Sequence, residues 1–393
     1  MLKVNKAKCT GCSACVSICP LNCITMQSDE YGFLYPTISN KCIGCGKCDN
    51  ICPLENKKKE ESFYKQEAYC LLSKSEKVWK RSSSGGAFTE ICKAFGDDNT
   101  IIIGAGWNGF KVEHIAIKGI NNILPICKSK YIASNMKNNF ITIRERLNRG
   151  EKVIFCGTPC QVAGLKNMLG KKYENLLLID LICHGVGSPK VFEDCIKVTE
   201  QDLGANIYDY EFRAKRDMYE TPYLVRVSTN SKKNKNQYIT NDRYMQLFLS
   251  QHCLRESCGK NCGYRTSIRQ GDLTIADCKG LLEIFPELIG TKYNYSTVVV
   301  NSEKGANVLN LMKASVHIKQ YDVNLVKKYN PLFYKQTIFS ESREHFFNDY
   351  SKDSKQAIIK YTTPPLRNNG LSKKLSSLMP TWFRKFFIKL IKR

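Results

Sequence analysis

Eight cysteines in the first 52 residues follow one pattern twice, and this repeat constrains the chain more than any other feature. The two copies are Cys9-x2-Cys12-x2-Cys15-x3-Cys19-Pro20 and Cys42-x2-Cys45-x2-Cys48-x3-Cys52-Pro53. Two-residue gaps wrap a tight loop whose sulfurs converge, and the proline ends the short helix that carries the fourth cysteine. Gly11, Gly44 and Gly46 suit such loops, because glycine readily accepts a positive φ.

This spacing is typical of bacterial two-cluster ferredoxins, in which three neighbouring thiolates and the remote fourth one hold a 4Fe–4S cubane. By that crossed rule, the first cluster is held by Cys9, Cys12, Cys15 and Cys52, and the second by Cys19, Cys42, Cys45 and Cys48. Zinc or disulfides are the alternatives, but zinc sites usually take their four ligands in two pairs. The repeat therefore predicts two iron–sulfur clusters and a protein that transfers electrons.

Length and charge limit the remaining functions. The chain has 393 residues and a formal net charge of +24, and no recognised nucleic-acid motif appears. About 340 residues follow the doubled motif, enough for one large or two medium domains. A signal sequence does not fit before the first cluster loop, and no segment has the apolar length of a membrane span. We expect a cytoplasmic protein, since clusters and free thiols suit a reducing compartment.

The last 23 residues differ from the rest of the chain. Residues 371–393 contain seven Lys and Arg and no acidic residue. On a helical wheel, aromatic and aliphatic side chains fill one half and basic side chains the other, as in an interfacial amphipathic helix. The sequence favours reversible peripheral contact with an anionic membrane surface, on the inner face. The alternative is a terminal helix docked on its own domain.

The apolar patterns predict a mixed α/β fold. A β-hairpin is expected over residues 100–118, with Asn108-Gly109 as its turn. Strand, turn and helix then alternate from Lys152 to Leu203, which predicts a βαβα unit. Further strands are expected near residues 207–212, 223–228, 237–240, 272–276 and 296–301.

Four loops lie where predicted strands meet helices, the usual cofactor side of an α/β sheet. Residues 82–86 combine hydroxyls and glycines at a helix start and could cradle a pyrophosphate, although a capped linker has the same composition. Residues 128–131 pair lysines with a tyrosine and could bind phosphate, or form an exposed turn. Cys160 lies at a helix start, where the helix dipole lowers a thiol pKa. His184 ends an apolar strand, where a lone histidine is more often structural than catalytic.

Together these motifs resemble the beta-subunit family of coenzyme F420 hydrogenases and dehydrogenases, over about residues 66–346. The resemblance rests on Ser83–Gly86, Lys128–Tyr131, Phe155–Gln161, Gly164–Lys166, Asp180–Gly185, Gly271–Asp277 and Asn330-Pro331. An N-terminal two-cluster ferredoxin is a known addition in that family. The sequence departs from the family at Cys278-Lys279-Gly280, where Phe-Trp-Gly is usual, and this departure puts the use of the deazaflavin in doubt.

The resemblance implies a small ferredoxin-like domain fused to a larger mixed-sheet domain that binds FAD. It implies that Ser84, Gly85 and Gly86 contact the FAD phosphates. Lys130, Thr158 and Pro159 would line the flavin site, with Cys160 and His184 as catalytic candidates. The expected organisation is a ferredoxin domain over 1–56, a linker over 57–66, an N-terminal flavin-binding region over 67–150, a C-terminal domain over 151–350 and a basic tail over 351–393.

A second group of cysteines could form a third metal site. Cys253, Cys258, Cys262 and Cys278 offer four thiols, but their spacing matches neither the ferredoxin run nor a zinc ribbon. Ordinary packed thiols are the alternative. Five other cysteines lie in apolar surroundings and are interpreted as core residues: Cys23, Cys70, Cys92, Cys127 and Cys195.

The sequence therefore predicts an iron–sulfur flavoprotein that couples hydride exchange at FAD to single-electron transfer through two 4Fe–4S clusters. Its expected partners are a redox protein or soluble electron carrier and a small hydride donor or acceptor, such as coenzyme F420. Two alternatives remain. One is a reductase of an organic substrate, such as a tetrapyrrole or a sugar-linked intermediate, without F420. The other is a non-catalytic electron-relay subunit of a larger complex.

Overall fold

A computed structural model describes residues 4–54, 64–215, 224–231, 235–288 and 294–363. Within these ranges the strands are β1 (Ile24–Ser28), β2 (Leu34–Ile38), β3 (Glu67–Ser73), β4 (Ile101–Asn108), β5 (Lys111–Lys118), β6 (Val153–Cys156), β7 (Leu176–Leu181), β8 (Ile207–Ala214), β9 (Leu224–Thr229), β10 (Lys235–Tyr238), β11 (Leu273–Asp277), β12 (Ser296–Val300) and β13 (Val316–Tyr321). Most of the predicted linker and the whole predicted amphipathic helix over 371–393 lie outside the described residues.

Helices flank these strands. They are α1 (Ala14–Ile18), α2 (Lys47–Asn50), α3 (Glu76–Lys80), α4 (Ala87–Phe95), α5 (Asn139–Asn148), α6 (Pro159–Leu169), α7 (Pro189–Leu203), α8 (Arg243–Leu249), α9 (Leu281–Ile284), α10 (Glu303–Met312), α11 (Val323–Tyr329), α12 (Glu341–Lys352) and α13 (Ser354–Tyr361). The predicted mixed α/β class is confirmed. The domain boundaries remain predictions.

An eight-stranded sheet organises the larger part of the molecule, in the order β13-β3-β12-β11-β7-β6-β4-β5. Its central strands β11, β7, β6 and β4 run parallel, and antiparallel strands extend both sides. Because parallel strands end at the same edge, the loops that follow β6, β7 and β11 lie side by side. That edge carries most of the motifs that the sequence singles out.

Local signals place the helices that leave this edge. Thr158 and Gln161 form a reciprocal capping box at the start of α6, Pro159 occupies the first turn, and Gly170 ends the helix at φ 71°. Ser188 caps α7 by accepting a hydrogen bond from the Val191 N–H. These caps fix both helix starts directly after strands, as the sequence predicts.

The ferredoxin part consists of α1, α2 and the β1–β2 hairpin, and it packs directly on the larger part. Cys12 and Ala14 belong to the same apolar core as Phe140, Phe155 and Val162. Hydrogen bonds also join the two parts, among them Tyr264 to the Pro53 carbonyl, Asn261 to the Ala7 carbonyl, Asn167 to the Ile51 carbonyl and Ser188 to the Tyr31 carbonyl. The contact is therefore both apolar and polar.

A smaller sheet, β10-β9-β8, lies with α7, α8, α12 and α13 around a second core. Phe192, Phe212 and Tyr244 are fully buried at its centre, and their rings pack at centroid distances of 4.9 to 5.8 Å. This layer brings β8 against the loop edge of the large sheet, where Arg213 reaches the Ser83 carbonyl.

Candidate redox site

The eight ferredoxin cysteines line two separate cavities. The inner cavity is bordered by Cys9, Cys12, Cys15 and Cys52, and the outer cavity by Cys19, Cys42, Cys45 and Cys48. These are the two sets that the crossed rule predicts. Four thiols per cavity form the donor set of a cubane, so the residues fit the clusters that the sequence implies.

The loops around the two cavities adopt the conformation that their glycines allow. Gly11, Gly44 and Gly46 have φ values of 71°, 67° and 70°, in the left-handed region. Gly11 also lies close to the Arg255 guanidinium, because an added Cβ would be 3.1 Å from the Arg255 Nη1. The larger part of the molecule thus lies against a loop of the inner cavity, whereas Cys45 of the outer cavity is exposed.

A third set of thiols lines a central cavity with a volume of about 470 Å³. The four cysteines are Cys160, Cys183, Cys258 and Cys262. The first lies in the first turn of α6, the second follows β7, and the other two come from the segment after α8. The thiols of Cys160 and Cys183 each interact electrostatically with those of Cys258 and Cys262. We call this set the central thiol set.

The surroundings of the central thiol set resemble those of an iron–sulfur site. The Val186 N–H donates to the Cys258 Sγ at 3.4 Å, and the Gly185 N–H donates to the Cys183 Sγ at 3.3 Å. Backbone N–H groups aimed at ligand sulfurs are one of the features that tune cluster potentials. Among the described residues no three His, Cys, Asp or Glu side chains are spaced to hold a single ion, and this includes the thiols of both ferredoxin cavities.

The four cysteines that the sequence offers for a third metal site do not all lie together in the structure. Cys258 and Cys262 join the central thiol set, but Cys253 is fully buried beside Tyr244, and Cys278 hydrogen-bonds to Cys70. Cys160 and Cys183 take the other two places. The signal for them was present in the sequence, because each follows a strand of the parallel sheet and such strands end at one edge.

Cys160 does not behave as an activated thiol. Burial, with smaller contributions from the neighbouring Cys258 and Cys262, raises its pKa to about 12. The expected lowering by the start of α6 is therefore wrong, since removal from water outweighs the helix dipole. Thr158 lies beside it, with 3.2 Å between the Thr158 Oγ1 and the Cys160 Sγ.

His184 is held between the central thiol set and the aromatic core. Its ring packs on Phe248 at 5.0 Å, and its carbonyl accepts a hydrogen bond from Arg265 at 2.5 Å. Within the described ranges its buried Nε2 makes no hydrogen bond. Burial and the Arg265 charge lower its pKa to about 4, so the ring is neutral at pH 7.

The predicted phosphate loops meet at a second place, away from the central cavity. The Ser129 N–H and hydroxyl both donate to the Ser83 Oγ, at 2.8 and 3.0 Å, which joins the two loops. Arg213 and Lys215 reach the same loop through the Ser83 and Ser84 carbonyls, at 3.2 and 2.6 Å. We call Ser82–Gly86, Lys128–Lys130, Arg213 and Lys215 the basic loop cluster. Sequence reasoning missed Arg213 at the end of β8 and Lys215 directly after it, which carry no local motif.

Two lysines of this cluster are held away from water. Burial lowers the pKa of Lys130 to about 8, where its ammonium donates to the Cys127 carbonyl at 2.7 Å. Burial, with repulsion from Arg213, lowers the pKa of Lys215 to about 7. Lys215 also lies 4.5 Å from the Trp79 ring centroid. Buried cations of this kind are a favourable surface for an anionic group.

Gly85 and Gly86 have structural reasons to be glycine. A Cβ on Gly85 would come within 2.1 Å of the Leu71 carbonyl oxygen, and Gly86 has a φ of 94°. Gly86 also precedes α4 as its N-terminal cap residue. These glycines let the loop lie against β3 and β12, and their predicted contact with FAD phosphates stays a prediction.

Comparison with known proteins gives separate matches for the ferredoxin part and the larger part of the chain. Residues 150–324 match the family model for the C-terminal part of the coenzyme F420 hydrogenase/dehydrogenase beta subunit, and residues 8–56 match a 4Fe-4S dicluster domain. Over residues 150–324 the chain is therefore similar to the C-terminal part of the F420 hydrogenase/dehydrogenase beta subunit. It is an iron–sulfur protein of an oxidoreductase family, as its motifs predict. The dicluster match confirms the predicted iron–sulfur clusters.

A solved structure shows a weaker likeness. It is a chain from the F420-reducing [NiFe] hydrogenase complex of Methanosarcina barkeri, with 14% identity and a TM-score of 0.44 over 78% of this chain and 97% of that chain. No curated protein matches the sequence. No described helix is both long and apolar enough to span a membrane.

Proposed function

We propose that this protein is an iron–sulfur flavoprotein oxidoreductase of the beta-subunit family. It exchanges hydride with a small molecule at FAD and passes single electrons through its clusters. The observation that supports this most is the continuity of three thiol sets, from the exposed Cys45 to the strand ends of the large sheet.

Thiols of neighbouring sets lie close enough to interact electrostatically. The Cys15 thiol of the inner cavity interacts electrostatically with Cys48 of the outer one, and the Cys12 thiol interacts with Cys160 of the central set. Helix α6 presses Gly164 against Cys12, where an added Cβ would be 2.9 Å from the Cys12 sulfur. Electrons that enter at the outer cluster would therefore have a path into the larger part of the molecule.

The central thiol set would hold a third 4Fe–4S cluster. Four thiols and two backbone N–H donors to sulfur match what such a cluster requires. In this proposal Cys160 is a cluster ligand and not a catalytic residue. His184 would then be a neutral neighbour of that cluster.

The basic loop cluster would bind the FAD pyrophosphate. Ser84, Gly85 and Gly86 supply a hydroxyl and backbone at the start of α4, and Lys130 and Lys215 supply positive charge. Thr158 and Pro159 line the central cavity, so a flavin ring bound beside them would face the third cluster. A flavin supplies what the clusters lack, because it accepts hydride and releases single electrons.

The sequence departs from the family pattern at residues 278–280, and this departure favours a hydride partner other than deazaflavin. Cys278 hydrogen-bonds to Cys70 and Tyr321 rather than presenting an aromatic ring. This favours the second candidate, a reductase of an organic substrate on the same fold. Mixing the purified protein with reduced F420 separates the two, because rapid flavin bleaching supports the first and indifference supports the second.

Anaerobic purification with iron, sulfide and flavin measured per chain tests the whole proposal. We expect about twelve irons for three 4Fe–4S clusters and one FAD. Folded, cluster-loaded protein without flavin would overturn the flavoprotein and leave an electron-relay subunit. About eight irons with one FAD would remove only the third cluster.

A further inference from the structure

The outer cavity contains five thiols, one more than a cubane needs. Besides Cys19, Cys42, Cys45 and Cys48, it is lined by Cys23. The sequence interpretation placed Cys23 in the core, and the residue is indeed only 5% exposed. It belongs to the small apolar cluster with Ile24, and it also lines the outer cavity.

Cys23 touches two of the four predicted ligands. Its Sγ lies 3.3 Å from the Cys19 Sγ, and its backbone N–H donates to the same sulfur at 3.4 Å. The Cys23 thiol also interacts with the Cys42 thiol. A purely packed cysteine has different surroundings: Cys92 is fully buried among the apolar side chains between α4 and the large sheet.

The backbone holds the two sulfurs on separate supports. Cys23 directly precedes β1, and its carbonyl accepts a hydrogen bond from the Ser39 N–H at 2.9 Å. Cys19 ends α1 and is followed by Pro20. A change at Cys19 therefore leaves the position of Cys23 fixed by the hairpin.

We propose that Cys23 is a reserve ligand of the outer cluster and takes the place of Cys19 at the same iron. In this exchange the bond from iron to the Cys19 sulfur breaks and a bond from iron to the Cys23 sulfur forms. The proton of the Cys23 thiol passes to the departing Cys19 thiolate across the 3.3 Å between the two sulfurs. No electron is gained or lost, and no other reactant is needed. This inference depends on the dicluster domain and not on the proposed flavin.

Substitution of single cysteines in the full chain, purified anaerobically, tests the exchange. Cys19→Ser should keep the full iron and sulfide content, with a changed EPR spectrum of the reduced outer cluster. Cys19→Ser/Cys23→Ser should lose about four irons per chain. Cys45→Ser is the matched control, because among the described residues Cys23 interacts with Cys19 and Cys42 and not with this exposed ligand. It should lose the outer cluster although Cys23 is present.

The EPR signal of the inner cluster reports in each variant that the ferredoxin part is folded. The proposal is overturned if Cys19→Ser loses its outer-cluster iron as Cys45→Ser does. It is equally overturned if Cys19→Ser yields no folded protein under conditions where Cys45→Ser does. Retention of the outer cluster in Cys19→Ser/Cys23→Ser also contradicts it, since a different group would then be the substitute.

Discussion

The guanidinium of Arg255 binds the backbone and approaches the sulfur of Cys9, a predicted ligand of the inner cluster. Its Nε donates to the Cys9 carbonyl at 2.7 Å, and its Nη2 lies 3.8 Å from the Cys9 Sγ and 2.9 Å from the Leu34 carbonyl oxygen. Arg255 is 2% exposed and lies over the Tyr35 ring at 4.1 Å. A buried positive charge from the larger part of the molecule is thus placed at the inner cluster.

Loss of this charge should make the inner cluster harder to reduce. Each reduced cluster carries one more negative charge, which a nearby cation and hydrogen bonds to sulfur stabilise. We expect Arg255→Met to shift the midpoint potential of the inner cluster negatively by about 59 mV or more, a tenfold change for one electron. EPR-monitored redox titration measures this shift.

Two variants separate charge from docking. Arg255→Lys keeps the charge and should recover much of the potential. Tyr264→Phe removes a different contact between the two parts, the bond to the Pro53 carbonyl, and should leave the potential unchanged. A similar shift in Arg255→Met and Tyr264→Phe would show that packing, and not charge, sets the potential.

The positions of the cysteines around the central cavity predict which substitutions remove the third cluster. Serine substitution of any one of Cys160, Cys183, Cys258 and Cys262 should remove the third cluster, with about four irons fewer per chain. Cys253→Ser and Cys278→Ser should keep it, since neither thiol lines the central cavity. Iron analysis with Mössbauer spectra distinguishes the groups. Normal iron content in the first four variants would contradict the assignment.

Features set by residues close together in the sequence can be predicted from it, whereas features that join distant segments cannot. The eight ferredoxin cysteines are ordered by gaps of two and three residues, and the caps of α6 and α7 are set by Thr158 and Ser188, so these features are visible locally. The central thiol set depends on the order β7-β6 in the sheet and on how residues 254–265 pack against it. Neither Arg255 nor Lys215 has a local motif, because each acts on a loop more than 100 residues away in the chain.

The pKa of Lys215 predicts how flavin affinity depends on pH. Burial lowers this pKa to about 7, and Arg213, Asp277, Lys128 and Glu211 are the charged groups around the ammonium. Between about pH 7 and the ordinary lysine value of about 10.4 the unfolded chain holds a proton here that the folded protein lacks. Stability of the flavin-free protein from this group therefore rises with pH across that window.

A bound pyrophosphate stabilises the protonated form of Lys215, whereas burial in the flavin-free protein favours the neutral form. Since only the protonated fraction binds well, the titration of Lys215 alone should lower FAD affinity about 25-fold between roughly pH 6.5 and 8.5. Titration of flavin-depleted protein with FAD measures this change. Lys215→Gln should bind more weakly with a shallower pH profile, because Lys130, whose pKa burial lowers to about 8, still titrates in this range. Riboflavin, which lacks phosphate, should show no dependence. An unchanged FAD affinity across this range would place the pyrophosphate elsewhere.

The surface over the outer cluster predicts where an electron-carrier protein docks. Ile43 is 71% exposed and Leu21 is 46% exposed, and both border the outer cavity. Lys41 and Lys47 flank this apolar patch in the sequence, so the expected partner has an acidic rim around an apolar centre.

A charge at the centre of the patch should slow transfer to a protein but not to a small molecule. We expect Ile43→Asp to lower the rate of electron transfer to an acidic ferredoxin at least about fivefold, from a loss of about 1 kcal/mol in docking. Reduction of methyl viologen should be unaffected, because it needs no docking surface. Ile338→Asp is the matched control, since Ile338 is 83% exposed and does not border the outer cavity. Stopped-flow mixing of the reduced protein with each acceptor gives the rates, and equal rates for the two variants would place the docking surface away from the outer cluster.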